Sequence, residues 1–128
     1  MSVIAAAAAL LMIAEGPVMV VSAPATDYEI GYRELQTGEN HAAVNAIQQG
    51  DQLPSTDPAK QINLAVALAR VGEYEAAKER FDAAARNADR YELETASGDW
   101  VDSRVLARRG LAMLEVGKFG SMETLAVR

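Results

Sequence analysis

A chain of 128 residues is the length of one domain and is long enough for a modest core. Half of it is hydrophobic, but alanine dominates and aromatics are few, a mix that favours packed helices over a sheet. A net charge of −6 with no basic stripe argues against a nucleic-acid partner, and the absence of cysteine excludes disulfides and thiol chemistry.

Residues 1–25 differ sharply from the rest. Val3–Ala14 is an unbroken apolar run, Val18–Val21 continues it beyond Glu15-Gly16-Pro17, and Ala23-Pro24-Ala25 offers small residues of the kind a signal peptidase inspects. The segment reads as a cleaved secretory signal, which predicts an exported chain, periplasmic or secreted. Two features run against that reading: no Lys or Arg precedes the apolar run, and Glu15 interrupts it. The alternatives are a retained membrane anchor and a buried core helix. Neither apolar piece alone has the roughly 20 residues that cross a bilayer, and Gly16-Pro17 breaks a continuous helix. A lipoprotein anchor is excluded because no Cys lies near Ala23–Ala25. A membrane is therefore a partner only through this segment, if it stays uncleaved.

The next unit, 26–57, reads as a pair of helices turning at Gly38. Thr26 and Asp27 are reasonable caps for its first helix, and Asp-Gln-Leu-Pro-Ser-Thr-Asp-Pro after Gly50 is a turn-rich connection. Its register comes from the unit that follows. Gly38 lies 34 residues before Gly72, and the same shift pairs Ile30 with Leu64, Gly31 with Ala65, Asn40 with Tyr74, Ala43 with Ala77 and Ile47 with Phe81. The departures are Glu34 opposite Leu68, with Leu35 beside it, and Gly50 opposite Ala84.

The unit 58–88 is the clearest in the chain. Ile62, Leu64, Ala65, Leu68, Ala69 and Val71 recur at three- and four-residue steps, the period of one helix stripe facing a core, and Tyr74, Ala77, Phe81, Ala84 and Ala88 do the same after Gly72. Asp57 can accept from the free amides of the first turn and Pro58 suits the first helical position, which fixes a start. Gly72 stands where a left-handed residue ends a helix, which fixes a stop. Bulky Leu64, Leu68 and Phe81 alternate with small Ala65, Ala77 and Ala84, so that helices approach closely at the alanines. In these residues the unit resembles the tetratricopeptide repeat (TPR), a 34-residue helical hairpin. The family's Leu–small pair falls on Leu64-Ala65, its next large residue on Leu68, its turn glycine on Gly72, its aromatic on Tyr74, and its Ala, aromatic and Ala on Ala77, Phe81 and Ala84. The family's Trp is Gln61 here, and its late Pro is Asp89.

A third copy, 103–128, is set by Gly117, with Gly110 small, Met113 large and Phe119 aromatic; Arg109 stands where Leu is expected. The small residue precedes the turn glycine by seven in each copy, yet Gly117 follows Gly72 by 45, so eleven extra residues fall within 89–102. Only nine residues follow Phe119, among them Met122, Leu125, Ala126 and Val127, so the last helix is short and leaves the end of the stack without a full polar cap. That end either folds over the core or pairs with a second copy or a partner, which makes a homo-oligomer an open alternative. The resulting expectation is an all-α fold: a short right-handed solenoid of about two and a half TPR-like hairpins.

The resemblance implies that the first helices line a concave groove for a peptide or partner helix, faced by Tyr28, Tyr32, Ile62, Asn63, Val66, Arg70, Arg104, Arg108 and Leu111. Some TPR co-chaperones hold a terminal carboxylate with a clamp of Lys, Asn, Asn, Lys and Arg. The second Asn falls on Asn63, the second Lys on Arg104 and the Arg on Arg108, whereas Tyr28 and Tyr32 stand where the first Lys and Asn would be and cannot replace them. What remains is a partial basic pocket able to grip a carboxylate. In the insertion, Tyr91 and Trp100 are candidate contacts for a partner, or they tuck the loop onto the core; Ser97-Gly98-Asp99 is a turn. Its carboxylates lack the order of a calcium loop. His41 is the sole histidine, and no catalytic, metal or cofactor motif is present, so the chain reads as a non-catalytic interaction scaffold.

Overall fold

The computed structural model describes residues 21–22, 30–117 and 119. Thr26, Asp27 and Tyr28, the rest of the segment read as a signal, and 120–128 lie outside the described residues. The described residues are mostly helical. Helix α1 (Tyr32–Gln36) joins α2 (Asn40–Gln49) through Thr37-Gly38-Glu39, α3 (Pro58–Arg70) joins α4 (Tyr74–Arg86) through Val71-Gly72-Glu73, and α5 is Ser103–Glu115.

The two joins have one design. Gly38 N–H donates to the Leu35 carbonyl at 3.3 Å and Glu39 N–H to that of Glu34 at 2.8 Å; Gly72 N–H donates to Ala69 at 3.1 Å and Glu73 N–H to Leu68 at 2.9 Å. This reciprocal closure satisfies the last carbonyls of a helix and needs a residue at positive φ. Gly38 and Gly72 supply it at 76° and 87°, and Gly117 does the same after α5 at 69°. Joins this short fold the flanking helices back on each other, so α1–α2 and α3–α4 are helix hairpins. The starts match as well. The Asp57 carboxylate accepts from Lys60 N–H at 3.0 Å, and that of Asp102 accepts from Arg104 N–H at 2.8 Å.

Helix α3 lies at the centre, packed against α1, α2, α4 and α5, while α4 packs against α5 in turn. Ile62, Ala65, Val66, Leu68 and Ala69 of α3 meet Ile30, Leu35 and Ala43 from the first hairpin, Ala77, Phe81 and Ala84 from α4, and Leu106 and Ala107 from α5. Phe81 is the largest wholly buried side chain, and its ring centroid lies 6.1 Å from that of Phe119. Gly110 is obligatory in this contact: a Cβ there would stand 2.3 Å from Phe81 Cε1, so only hydrogen lets α5 approach the ring.

The mostly helical architecture is compatible with the expected all-α class, to which β1 (Val21–Ser22), β2 (Glu92–Thr95) and β3 (Trp100–Asp102) add a small antiparallel sheet in the order β1-β2-β3. Two of its strands are the stretch 89–102 that the repeat period sets apart. The reason is an alternation of period two: Glu92 is exposed, Leu93 buried, Glu94 half-buried and Thr95 buried, with Gly98 at φ 88° in the turn. Helix α1 starts at Tyr32, because Gly31 takes a left-handed φ of 65° that a right-handed helix cannot continue through.

Candidate partner-binding surface

The side chains that the TPR resemblance assigns to a groove divide into two groups. Asn63 is fully buried, and its Nδ2 donates to the Ile30 carbonyl at 2.9 Å, holding the chain at the break before Gly31. Val66, one turn along the same face, is 1% exposed. Arg70 reaches from the end of α3 to the Leu35 carbonyl at 2.9 Å and to Asn40 Oδ1 at 3.5 Å. Arg104 donates through Nε and Nη2 to the Asn87 carbonyl, at 3.0 and 2.7 Å, and to that of Ala88. These guanidinium groups close the carbonyl ends of neighbouring helices, where positive charge is favoured. Tyr32 is half-buried, with its hydroxyl accepting from Gln36 at 2.6 Å, and Tyr28 lies outside the described residues. Arg108 is exposed on α5, and Leu111, three residues on, is half-buried. Asn63, Arg104 and Arg108 thus do not form a shared pocket of open polar side chains: two of the three are engaged with main chain.

Among the described residues three aromatic side chains are exposed: Tyr74 at the start of α4, Tyr91 just before β2 and Trp100 in β3. Trp100 is 62% exposed and Tyr91 51%. In the hairpin register Trp100 stands opposite Glu94, Val101 opposite Leu93 and Asp102 opposite Glu92. Side chains alternate across the sheet, so Trp100, Glu94, Glu92 and Asp102 share the outer face while Leu93 and Thr95 point to the core. Two carboxylates opposite one another repel. Arg90 relieves that repulsion, donating through Nε and Nη2 to Asp102 Oδ2 at 2.8 and 2.6 Å. The same guanidinium holds the Asp102 carboxyl below the usual carboxylate range; burial opposes it, and the amides of Arg104 and Val105 add to the lowering.

Sequence patterns did not reveal Lys60, which is 5% exposed and whose Nζ donates to the carbonyls of Gly50 at 2.7 Å and Leu53 at 3.0 Å, tying the connection to α3. No periodicity marks a lysine whose partners are main-chain carbonyls. The sheet, by contrast, had a legible signal in Glu92-Leu93-Glu94-Thr95 and the Ser97-Gly98-Asp99 turn. Among the described residues no three His, Asp or Glu side chains gather as a metal site, and no helix is long and apolar enough to cross a membrane. Tyr91, Trp100 and Arg108 are the exposed members of the residues expected to meet a partner. No family model matches the chain, and neither a curated protein nor a solved structure is significantly similar to it.

Proposed function

We propose that the chain is a non-catalytic protein-interaction module, a short right-handed stack of TPR-like hairpins that binds a peptide or helix of a partner protein without a cofactor. The observation that carries the reading is a recurring stop: a left-handed glycine whose N–H donates to the carbonyl three residues back follows α1, α3 and α5, with φ of 76°, 87° and 69°. Successive first helices also touch, α1 with α3 and α3 with α5, and each second helix packs on the next first helix, as stacked repeats require. With Asn63 and Val66 buried and Arg70 and Arg104 bonded to main-chain carbonyls, the partner is met by Arg108 of α5, Tyr91 just before β2 and Trp100 of β3. Arginine and large aromatics dominate the energetics of most interfaces.

Affinity capture with the full chain tests this. A heterologous protein should be retained by the wild type and lost on combined Trp100→Ala and Arg108→Ala, with the circular dichroism spectrum unchanged. Retention by the double variant would refute the assignment. A mass that rises with concentration in light scattering, without a heterologous partner, would favour self-assembly instead, with exposed Val116 at the end of α5 in the contact.

A further inference from the structure

The β2–β3 hairpin sets the one tryptophan of the chain against a carboxylate. Thr95 N–H donates to the Asp99 carbonyl and Ser103 N–H to that of Tyr91, so Thr95–Asp99 and Tyr91–Ser103 are bonded pairs of the antiparallel ladder. The register then puts Glu94 opposite Trp100, and Glu92 opposite Asp102, in the non-bonded positions between them. There facing Cα atoms stand only about 4.5 Å apart and side chains come closest. Arg90 already neutralises Asp102, donating to its Oδ2 through two nitrogens. Among the described residues neither Glu92 nor Glu94 makes an ion pair. The outer face of the hairpin therefore presents an indole that is 62% exposed with an unneutralised carboxylate directly across from it. A second such carboxylate lies about 7 Å along β2, the spacing of same-face residues on a strand.

The indole and the carboxylates select the same chemical group. The face of an indole is electron-rich and attracts a cation within about 6 Å of its centre, more strongly than other aromatic rings do. A guanidinium is planar and weakly hydrated, so it stacks on the ring while its edge still donates to a carboxylate. An ammonium keeps its water more tightly and has no plane to stack.

We propose that the outer face of the β2–β3 hairpin receives an arginine-bearing segment of a partner protein, with one guanidinium stacked on Trp100 and bonded to Glu94 and a second paired with Glu92. The proposal rests on the reading of the chain as an interaction module and names the partner's chemistry. The two fail separately: a partner captured through Trp100 by a segment without arginine sinks this inference and leaves that reading standing.

The test uses the full chain and the capped synthetic peptide Ala-Arg-Ala-Arg-Ala, whose alternate residues in extended form match the spacing of Glu92 and Glu94. Emission of Trp100, the only tryptophan, should titrate with this peptide. The lysine analogue should bind more weakly, and the glutamine analogue should leave the emission unchanged. The double variant Glu92→Gln, Glu94→Gln should bind the arginine peptide on the order of tenfold more weakly, since two attractive pairs are lost. Glu75→Gln with Glu79→Gln removes the same charge from exposed positions of α4 and should leave the affinity within about twofold, because screened charges act locally. Trp100→Leu, read by the anisotropy of a dye-labelled peptide, should also bind less tightly than the wild type. Emission that does not titrate, equal binding of the glutamine or lysine analogue, or equal loss in the two double variants overturns the proposal.

Discussion

Helices α3 and α5 begin and end alike and yet meet different surroundings. Each runs for 13 residues from an aspartate cap to a glycine stop, and Asp57 and Asp102 share a backbone of φ −58°, ψ 128° and φ −57°, ψ 133°. Along α3 every residue from Pro58 to Ala69 is buried except half-buried Leu64, whereas α5 exposes Arg108, Arg109, Ala112 and Glu115. Caps and stops are therefore local properties, and burial is not. Helix α3 is enclosed because α1, α2, α4 and α5 surround it and β1 also lies against it; α5 packs against α4 and α3. A matched pair of positions shows the consequence. Asn63 and Arg108 are both six residues past their caps, but one is a buried tie to the Ile30 carbonyl and the other an exposed cation.

That contrast is most severely tested at the contact shared by both helices. Phe81→Ala should destabilise the fold by about 3–5 kcal/mol in urea unfolding, because it leaves a cavity between α4 and Gly110 of α5 that neither helix can fill. A loss under about 1 kcal/mol would mean that α5 does not depend on this ring. The matched pair comes next. Asn63→Ala strands the Ile30 carbonyl in the core and should cost about 1–3 kcal/mol, whereas Arg108→Ala should remain within about 0.5 kcal/mol. Equal costs would erase the distinction between an enclosed and an open helix. At the start of α3, Asp57→Ala should cost about 1 kcal/mol through the lost cap.

The smallest effect separates the two caps by acid. The Asp102 carboxyl titrates lower in the folded chain than in the unfolded one, chiefly through Arg90, so its support for the hairpin–α5 junction is complete at neutral pH. It is lost as pH falls through the depressed folded value, below the ordinary range of aspartate. Trp100 emission, two residues away in sequence, should report a transition there that Arg90→Ala moves to higher pH. An unmoved transition would show that Arg90 does not set it.

The glycine turns and aspartate caps were legible because each is a short-range requirement: Gly38, Gly72 and Gly117 mark places where the backbone must be left-handed, and the seven-residue interval from each small residue repeats. The exposure of Tyr91 and Trp100 agrees with a contact role but was equally compatible with tucking onto the core, since a loop's aromatic pattern carries no information about its cover. The groove assignment met a different obstacle. Asn63, Arg70 and Arg104 look like solvent-facing polar residues until their partners, main-chain carbonyls far along the chain, are known. The β1 pairing was hidden for the same reason: Val21–Ser22 belongs to an apolar run that reads as a signal, and only β2, more than 70 residues on, makes it a strand.

The sequence by itself determined where α3 starts and where α1, α3 and α5 stop, because a cap and a left-handed turn depend on residues within one helical turn of each other. The tertiary structure alone decided which polar side chains are buried ties, which helix is enclosed and what covers the edge of β2. Those outcomes come from contacts between residues distant in sequence, whose free energy exists only once the hairpins have packed.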